Sequence, residues 1–134
     1  MGKIKGLAHV GLYVSDADIE VKFYTEVLGF KLIWENVNKG DDGDYIVKFV
    51  QLGDCVIEIV QFPKPITLPD GHFDHIALDV ENLDEVMEDL KAKGIEYDEG
   101  SYCVNPGTFE HGSRWVLFRG PSGEHLELNE KFKA

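Results

Sequence analysis

The sequence contains an internal repeat, and this repeat constrains the fold more than any other feature. HVGLYVSDADIEVKFYTEVLG forms residues 9–29, and HIALDVENLDEVMEDLKAKG forms residues 75–94. Each copy begins with a histidine and a few residues of alternating hydrophobicity, continues with an acidic stretch and ends at a glycine. We therefore expect a chain of this length, 134 residues, to fold into two similar modules rather than into two unrelated domains.

Each copy of the repeat predicts a strand followed by a helix. The alternation in residues 7–14 and 73–80 has the period of two that is typical of a half-buried strand. Ser15-x-x-Asp18 and Asn82-x-x-Glu85 resemble the capping boxes that begin helices. The sequence therefore predicts helices that begin directly after Ser15 and after Asn82.

The predicted helices have an apolar face and an end signal. In the first helix Ile19, Phe23 and Val27 recur at intervals of four, which predicts that they face the core. Gly29 and Gly94 follow the helices at the position where a residue with positive φ commonly ends a helix. The second helix shows the same apolar spacing at Leu83, Val86, Met87 and Leu90.

Three further strands are predicted after each helix, so each half of the chain reads βαβββ. They cover about residues 30–37, 45–52 and 55–62 in the first half, and 96–102, 114–119 and 125–129 in the second. Residues 61–72 contain three of the five prolines and read as a linker. We therefore predict a single domain, residues 1–134, made of one module at about 4–62 and a second at about 73–130.

A histidine and a glutamate recur at matching positions of the two halves. His9 opens the first strand, and Glu58 stands 49 residues later in the apolar strand CVIEIV. His75 opens the equivalent strand of the second half, and Glu127 follows 52 residues later in HLELN. A single structural histidine or a glutamate on a wet strand face would explain each residue alone. Their repetition instead predicts a common site.

Two imidazoles and two carboxylates are a typical ligand set for a divalent ion such as Ni²⁺, Co²⁺, Zn²⁺, Mn²⁺ or Fe²⁺. If the two halves pack side by side, His9, Glu58, His75 and Glu127 converge on one such ion. The ion would polarise a carbonyl or hydroxyl oxygen of a substrate. A glutamate beside it could remove a proton from the neighbouring carbon.

The charge balance excludes several partners. There are 13 basic and 25 acidic residues, giving a net charge of −12, so neither nucleic acid nor an anionic membrane is an expected partner. No apolar run approaches the length of a membrane span, and no signal peptide is recognisable. Cys55 and Cys103 do not form a disulfide framework, which favours reduced thiols and a cytoplasmic location.

In these motifs the chain resembles the vicinal oxygen chelate superfamily, and within it bacterial glyoxalase I, also called lactoylglutathione lyase. The segments HVGLYV, FYTEVLGF, VIEI, FDHIALDV and GPSGEHLEL carry the resemblance, which extends from about residue 4 to residue 130. It implies an α+β fold in which two βαβββ modules form a U-shaped, partly open mixed-sheet barrel. It also implies a homodimer that acts on a small molecule, often with sites that combine residues of both chains.

The resemblance implies a metal-dependent isomerisation. A methylglyoxal–thiol hemithioacetal would become a lactoyl thioester through an enediolate, with one Ni²⁺, Zn²⁺ or Co²⁺ at each site. The ligands would be His9, Glu58, His75 and Glu127. Glu127 matches the residue that moves the proton, and Glu58 is a second catalytic candidate. Epimerases, dioxygenases and resistance proteins share these motifs, so a methylmalonyl-CoA-like epimerase and a drug-sequestering binding protein remain alternatives.

Two positions depart from the enzymes that use glutathione. Those enzymes carry an arginine four residues after the first histidine and an asparagine four after the first glutamate, where this chain has Tyr13 and Phe62. Neither residue can make a charge-assisted bond to a carboxylate. The chain has only two arginines, of which we take Arg114 as a candidate for binding an anionic substrate group. Tyr13, Phe62 and Arg114 are thus the predicted substrate-binding residues, and the thiol stays open.

Overall fold

The computed structural model describes residues 2–134 and divides the chain into two compact units, unit 1 (Met1–Leu68) and unit 2 (Pro69–Ala134). Unit 1 contains the strands and helix β1 (Val10–Val14), α1 (Ala17–Lys22, continued by a π-helical turn, Phe23–Val27), β2 (Lys31–Gly40), β3 (Gly43–Leu52) and β4 (Cys55–Gln61). Unit 2 contains β5 (Ile76–Asp79), α2 (Leu83–Ala92), β6 (Cys103–Asn105), β7 (Ser113–Arg119) and β8 (His125–Lys131).

Both units have the same sheet topology. The strand order is β1-β4-β3-β2 in unit 1 and β5-β8-β7-β6 in unit 2. The first strand of each unit is parallel to the last, and the other neighbours are antiparallel. Among the described residues the edge strands of one sheet do not pair with each other, so neither sheet closes by itself. The predicted α+β class and the βαβββ order of each half are confirmed.

The first helix begins one residue later than the capping box predicts. Its N-cap is Asp16, whose carboxylate accepts hydrogen bonds from the backbone N–H groups of Asp18 and Ile19 at 3.0 and 3.1 Å. Asp16 has the extended backbone of an N-cap, with φ −148°. The prediction of Ser15 as the cap is therefore wrong, because the neighbouring carboxylate serves this role.

The second helix is capped from a distant part of the sequence. Asn82 is the N-cap residue, as predicted, but its side chain makes no capping hydrogen bond and its φ is 55°. Instead, the Glu130 carboxylate accepts from the N–H groups of Asn82 and Leu83 at 3.1 and 3.0 Å. The end signals are confirmed, since Gly29 and Gly94 adopt φ values of 86° and 97°.

The buried face of α1 differs from the prediction. Ala17, Glu20 and Tyr24 are buried, whereas Ile19 is 56% exposed. The chain widens into a π-helical turn at Phe23, so the interval of four does not continue along a regular helix. The predicted apolar face of α2 agrees with the structure, because Leu83 and Leu90 are buried and Val86 and Met87 are half-buried.

One strand of the second half is misplaced in the prediction. Residues 96–102 contain only an isolated bridge between Tyr97 and Phe118, and β6 follows at Cys103–Asn105. Gly100 has φ 76°, and the Ser101 N–H donates to the Asp98 carbonyl, so this segment turns instead of extending. No helix in residues 2–134 is long and apolar enough to cross a membrane.

The side chains that alternate along the central strands form the core of each unit. In unit 1 the buried side chains on one sheet face include Val50, Ile57 and Ile59, and in unit 2 they include Val116, Phe118, Leu126 and Leu128. Because strand side chains alternate between faces, Glu58 and Glu127 lie on the sheet face opposite to their buried neighbours. This face carries the histidine and glutamate of each unit.

Candidate functional site

His9 and Glu58 are brought together within unit 1 by the parallel pairing of β1 and β4. Gly11, two residues after His9, pairs with Glu58 in the strand register. His9 Nε2 consequently lies 3.5 Å from Glu58 Oε1. A β-carbon at Gly11 would lie 3.9 Å from the same carboxylate oxygen, so Gly11 leaves space beside the pair.

Unit 2 repeats this arrangement. Ala77, two residues after His75, pairs with Glu127 in the register of β5 and β8. His75 Nε2 lies 3.5 Å from Glu127 Oε1, the same distance as in unit 1. The repeat thus preserves the sequence positions, the register and the contact between the two donor atoms. Each unit presents one imidazole nitrogen and one carboxylate oxygen in close contact.

The two pairs differ in what surrounds them. Asp74 Oδ2 lies 2.8 Å from His75 Nδ1, and Asn129 Nδ2 donates to Glu127 Oε2 at 2.9 Å. In unit 1 the His9 ring contacts Phe49 edge-on, with 5.4 Å between ring centroids. The Glu127 side chain is 11% exposed, whereas that of Glu58 is 29% exposed. The pair of unit 2 is therefore more enclosed and has more polar support.

An aromatic cluster lies on the same sheet face of unit 1 as His9 and Glu58. The Phe62 ring contacts Tyr13 and Tyr45 edge-on, at centroid distances of 4.9 and 5.2 Å. The structure thus brings the predicted Tyr13 and Phe62 into contact, and it adds Tyr45. Tyr13 remains 57% exposed, so part of this aromatic surface is accessible. We call Tyr13, Tyr45 and Phe62 the aromatic cluster.

The Tyr45 hydroxyl is held at the edge of this cluster. It lies 3.2 Å from both carboxylate oxygens of Asp42, to which it donates a hydrogen bond. Burial and the nearby Asp42 carboxylate raise the pKa of Tyr45 above its ordinary value. Tyr45 is therefore a neutral residue at physiological pH, and the cluster offers apolar rings without a positive charge.

Arg114 is engaged by two carboxylates of its own unit. Its Nε donates to Glu130 Oε1 at 2.7 Å, and its Nη1 lies 3.2 Å from Asp84 Oδ2. The hydrogen bond with Glu130 is the main cause that raises the pKa of Arg114. The guanidinium therefore links β7 to β8 and to α2, and its role in binding an anionic substrate group stays a prediction.

A polar cluster lies beside His75. Asp74 Oδ2 lies 3.4 Å from His125 Nδ1, and His125 Nε2 lies 3.1 Å from Asp98 Oδ2. Asp70 accepts two hydrogen bonds from Arg119. These bonds are the largest cause that lowers the pKa of Asp70. Asp70, Asp74 and His125 each place a ligand-type atom within 4.8 Å of the others.

The sequence carries a signal for Asn129 but not for the pairing of Asp74 with His75. Asp74 directly precedes His75, and Asn129 stands two residues after Glu127, which places Asn129 on the same strand face. Strand parity could therefore have identified Asn129. The pairing of Asp74 with His75 depends on the conformation of the chain just before β5, which periodicity does not report.

Two cysteines are present in the chain. Cys55 and Cys103 are both free and half-buried. Burial raises the pKa of the Cys55 thiol above its ordinary value, which disfavours the reactive thiolate. The expectation of free thiols in place of a disulfide is confirmed for these two residues.

Comparison with known families and proteins identifies what the chain is similar to. The sequence model of the Glyoxalase/Bleomycin resistance protein/Dioxygenase superfamily matches residues 6–128. A probable lactoylglutathione lyase of Vibrio parahaemolyticus is 31% identical over 134 residues, which cover 96% of this chain and 92% of that protein.

Solved structures agree with the family match. The crystal structure of a glyoxalase family protein from Enterococcus faecalis is 31% identical, with a TM-score of 0.75 and coverage of 94% of this chain and 98% of that chain. The fosfomycin resistance protein FosX of Listeria monocytogenes, solved in complex with Mn(II) and a sulfate ion, has the same fold. It is 22% identical, with a TM-score of 0.71 and coverage of 97% and 95%.

Proposed function

The chain belongs to the glyoxalase/bleomycin resistance protein/dioxygenase superfamily, and from this we propose that it is a metal-dependent lyase of the glyoxalase I type. It converts a hemithioacetal of methylglyoxal and a thiol into a lactoyl thioester in the cytoplasm. The observation that carries the proposal is the His–Glu contact of 3.5 Å that recurs in both units. The probable lactoylglutathione lyase at 31% identity supports the same reaction type.

One divalent ion, Ni²⁺, Zn²⁺ or Co²⁺, is held by His9, Glu58, His75 and Glu127 in this proposal. Two ligand atoms bound to one ion at about 2.1 Å lie about 3.0 Å apart in octahedral and about 3.4 Å apart in tetrahedral geometry. The separation of 3.5 Å in each unit is close to both values, so each pair fits as two neighbouring ligands. The Mn(II) of FosX supports a divalent ion in this fold.

The glutamates carry the proton transfer. When bound, the ion supplies Lewis-acid polarisation of the substrate oxygens. Glu127 removes the proton from the carbon that bears the sulfur and returns it to the neighbouring carbon. The hydroxyl proton of the first carbon passes to the oxygen of the second, so that the first carbon becomes the thioester carbonyl and the second becomes the alcohol. Asn129 donates to the second oxygen of Glu127 at 2.9 Å, which fixes the orientation of the carboxylate. Glu58 assists from the other pair.

Tyr13 and Phe62 bind the thiol part of the substrate. Their rings are in contact with each other, on the sheet face that carries His9 and Glu58. Glutathione has two carboxylates, and aromatic rings offer them no charge-assisted hydrogen bond. We therefore expect a thiol carrier with an apolar or neutral portion against Tyr13 and Phe62.

The enzyme is a homodimer in this proposal. The first strand of each unit is an edge strand, and the apolar side chains before it are exposed, with Ile4 at 97%, Leu7 at 81% and Phe73 at 99%. Exposed apolar side chains of this size are typical of surfaces that bind another chain. In a two-fold dimer the pair of unit 1 from one chain would meet the pair of unit 2 from its partner, so each complete site would need both chains.

A panel of metals and substrates tests the function. The purified protein is loaded separately with Ni²⁺, Zn²⁺ and Co²⁺ and assayed with methylglyoxal plus glutathione, a neutral thiol and an aromatic thiol. We expect thioester formation with one ion bound per site, and the fastest turnover with an uncharged thiol. Proton exchange on methylmalonyl-CoA without any thiol requirement would instead identify an epimerase. A metal-free protein without turnover on any substrate would contradict the proposal and favour the binding protein.

A further inference from the structure

The two His–Glu pairs are equal in their own geometry and unequal in their support. The residue before each histidine is Ala8 in unit 1 and Asp74 in unit 2, and the residue two after each glutamate is Val60 in unit 1 and Asn129 in unit 2. Unit 2 therefore has a hydrogen-bonding side chain at both positions where unit 1 has an aliphatic one. This difference in neighbouring residues exists although the His–Glu distance is the same in both units.

The Asp74 carboxylate contacts the ring nitrogen of His75 that faces away from Glu127. Asp74 Oδ2 lies 2.8 Å from His75 Nδ1, while His75 Nε2 lies 3.5 Å from Glu127 Oε1. A carboxylate can only accept, so this contact keeps the proton of the neutral imidazole on Nδ1 and the lone pair on Nε2. The lone pair then faces the side of Glu127. His125 Nδ1 lies 3.4 Å from the same oxygen of Asp74.

Asn129 orients the Glu127 carboxylate, as Asp74 orients the His75 ring. Its Nδ2 donates to Glu127 Oε2 at 2.9 Å, and both residues lie on the same face of β8. The bond occupies one carboxylate oxygen and fixes the orientation of the other, Oε1, which faces His75. The Glu127 side chain is also nearly buried, so few alternative orientations reach solvent.

We propose that Asp74 and Asn129 are positioning residues that make the His75–Glu127 pair the preorganised, higher-affinity half of the metal site, with His9–Glu58 as the adaptable half. The inference rests on the proposed metal-dependent function. Mutation of residues that hydrogen-bond to metal ligands typically lowers metal affinity by about 10–100-fold.

Two variants test the positioning role by placing the aliphatic residues of unit 1 at the equivalent positions of unit 2. Asp74→Ala and Asn129→Val reproduce Ala8 and Val60, and Asp70→Ala is the matched control. Asp70 belongs to the same polar cluster and carries the same charge, but it binds Arg119 and not His75. Mn²⁺ binding to the full-length protein, stripped of metal, is measured by calorimetry. We expect the Mn²⁺ dissociation constant to rise about 10–100-fold in each of the two variants and less than threefold in Asp70→Ala.

A second readout requires no metal and separates positioning from a general loss of structure. Nitrogen NMR of the metal-free protein reports which ring nitrogen of His75 carries the proton. We expect Nδ1–H in the wild type and in Asp70→Ala, and a mixture of both tautomers in Asp74→Ala. Equal Mn²⁺ affinities of Asp74→Ala and Asp70→Ala, together with an unchanged His75 tautomer, would overturn the inference. A wild type that binds no divalent ion would reject the proposed function, and the inference with it, even if the tautomer shows that Asp74 orients His75.

Discussion

Gln61 in unit 1 and Glu130 in unit 2 hold equivalent positions and perform the same structural task. Each stands three residues after the strand glutamate of its unit. Gln61 Oε1 accepts from the N–H of Ala17 at 2.7 Å, and Glu130 Oε1 accepts from the N–H of Leu83 at 3.0 Å. Ala17 and Leu83 are the first residues of the two helices. The last strand of each unit thus carries both the candidate ligand and the group that anchors the helix.

The Glu130→Gln variant is expected to lower the free energy of unfolding by about 1 kcal/mol at pH 7, because a neutral amide replaces a charged acceptor at a helix N-terminus. The N–H of Leu83 and the Arg114 guanidinium hold the pKa of Glu130 below its usual 4.5. A lowered pKa gives stability that is present above about pH 4.5 and is lost as the pH falls through the folded-state pKa. The difference in unfolding free energy between wild type and variant therefore narrows as the pH falls below about 4.5 and through the folded-state pKa.

Urea unfolding at several pH values measures this difference. Asp84→Asn is the matched control, because Asp84 is the more exposed of the two carboxylates that pair with Arg114. An exposed ion pair contributes about 0–1 kcal/mol, so this variant should stay close to the wild type. A Glu130→Gln variant as stable as Asp84→Asn at every pH would show that the distant cap is dispensable.

Glu127→Gln is expected to reduce kcat by at least about 10²-fold while the protein still folds, because the amide cannot accept the substrate proton. Glu58→Gln should have a smaller effect if Glu127 is the principal base. Rapid-quench or steady-state assays with the hemithioacetal measure both variants, and circular dichroism confirms the fold. Equal losses in the two variants would mean that both glutamates transfer the proton.

The double variant Tyr13→Arg, Phe62→Asn is expected to raise kcat/KM for the glutathione hemithioacetal by about tenfold, since a guanidinium adds a charge-assisted bond to a carboxylate. The same variant should lose efficiency with an aromatic thiol, because the edge-on contact between the two rings is removed. Competition between the two thiols in one assay measures the change. Tyr45→Phe is a control that removes only a hydroxyl at the margin of the aromatic cluster. Unaltered thiol preference in the double variant would place the thiol site elsewhere.

Arg114→Lys is expected to lower the free energy of unfolding by about 1 kcal/mol, because the lysine keeps the charge but loses the guanidinium geometry that binds Glu130 and Asp84. Thermal unfolding measures this loss, and KM for the substrate is measured beside it. A rise in KM without a loss of stability would assign Arg114 to an anionic substrate group.

Removal of the divalent ion by a chelator should lower the melting temperature, because an ion that binds only the folded protein stabilises it by mass action. The double variant His75→Ala, Glu127→Ala should melt at the same temperature with and without the chelator. Differential scanning fluorimetry with added Mn²⁺ or Ni²⁺ provides the comparison. A wild-type melting temperature that does not depend on metal would contradict the proposed centre.

Much of the fold was predictable because local patterns report local structure. The period of two marked β1 and β5, and the glycines with positive φ ended both helices where the sequence predicted. The prediction of a strand at residues 96–102 was wrong, because Gly100 and the Ser101–Asp98 hydrogen bond turn the chain there. The apolar face of α1 was wrong as well, since the π-helical turn at Phe23 interrupts the helical period.

The repeat in the sequence by itself determined that the chain has two βαβββ units and that each carries a histidine and a glutamate at matching positions. Only the tertiary structure decided which side chains support these pairs. The register between strands places Gln61 and Glu130 at the helix starts and Phe62 against Tyr13. Periodicity records which face of a strand a side chain occupies, but strand pairing chooses its partner, and partners 40 or more residues apart leave no local pattern in the chain.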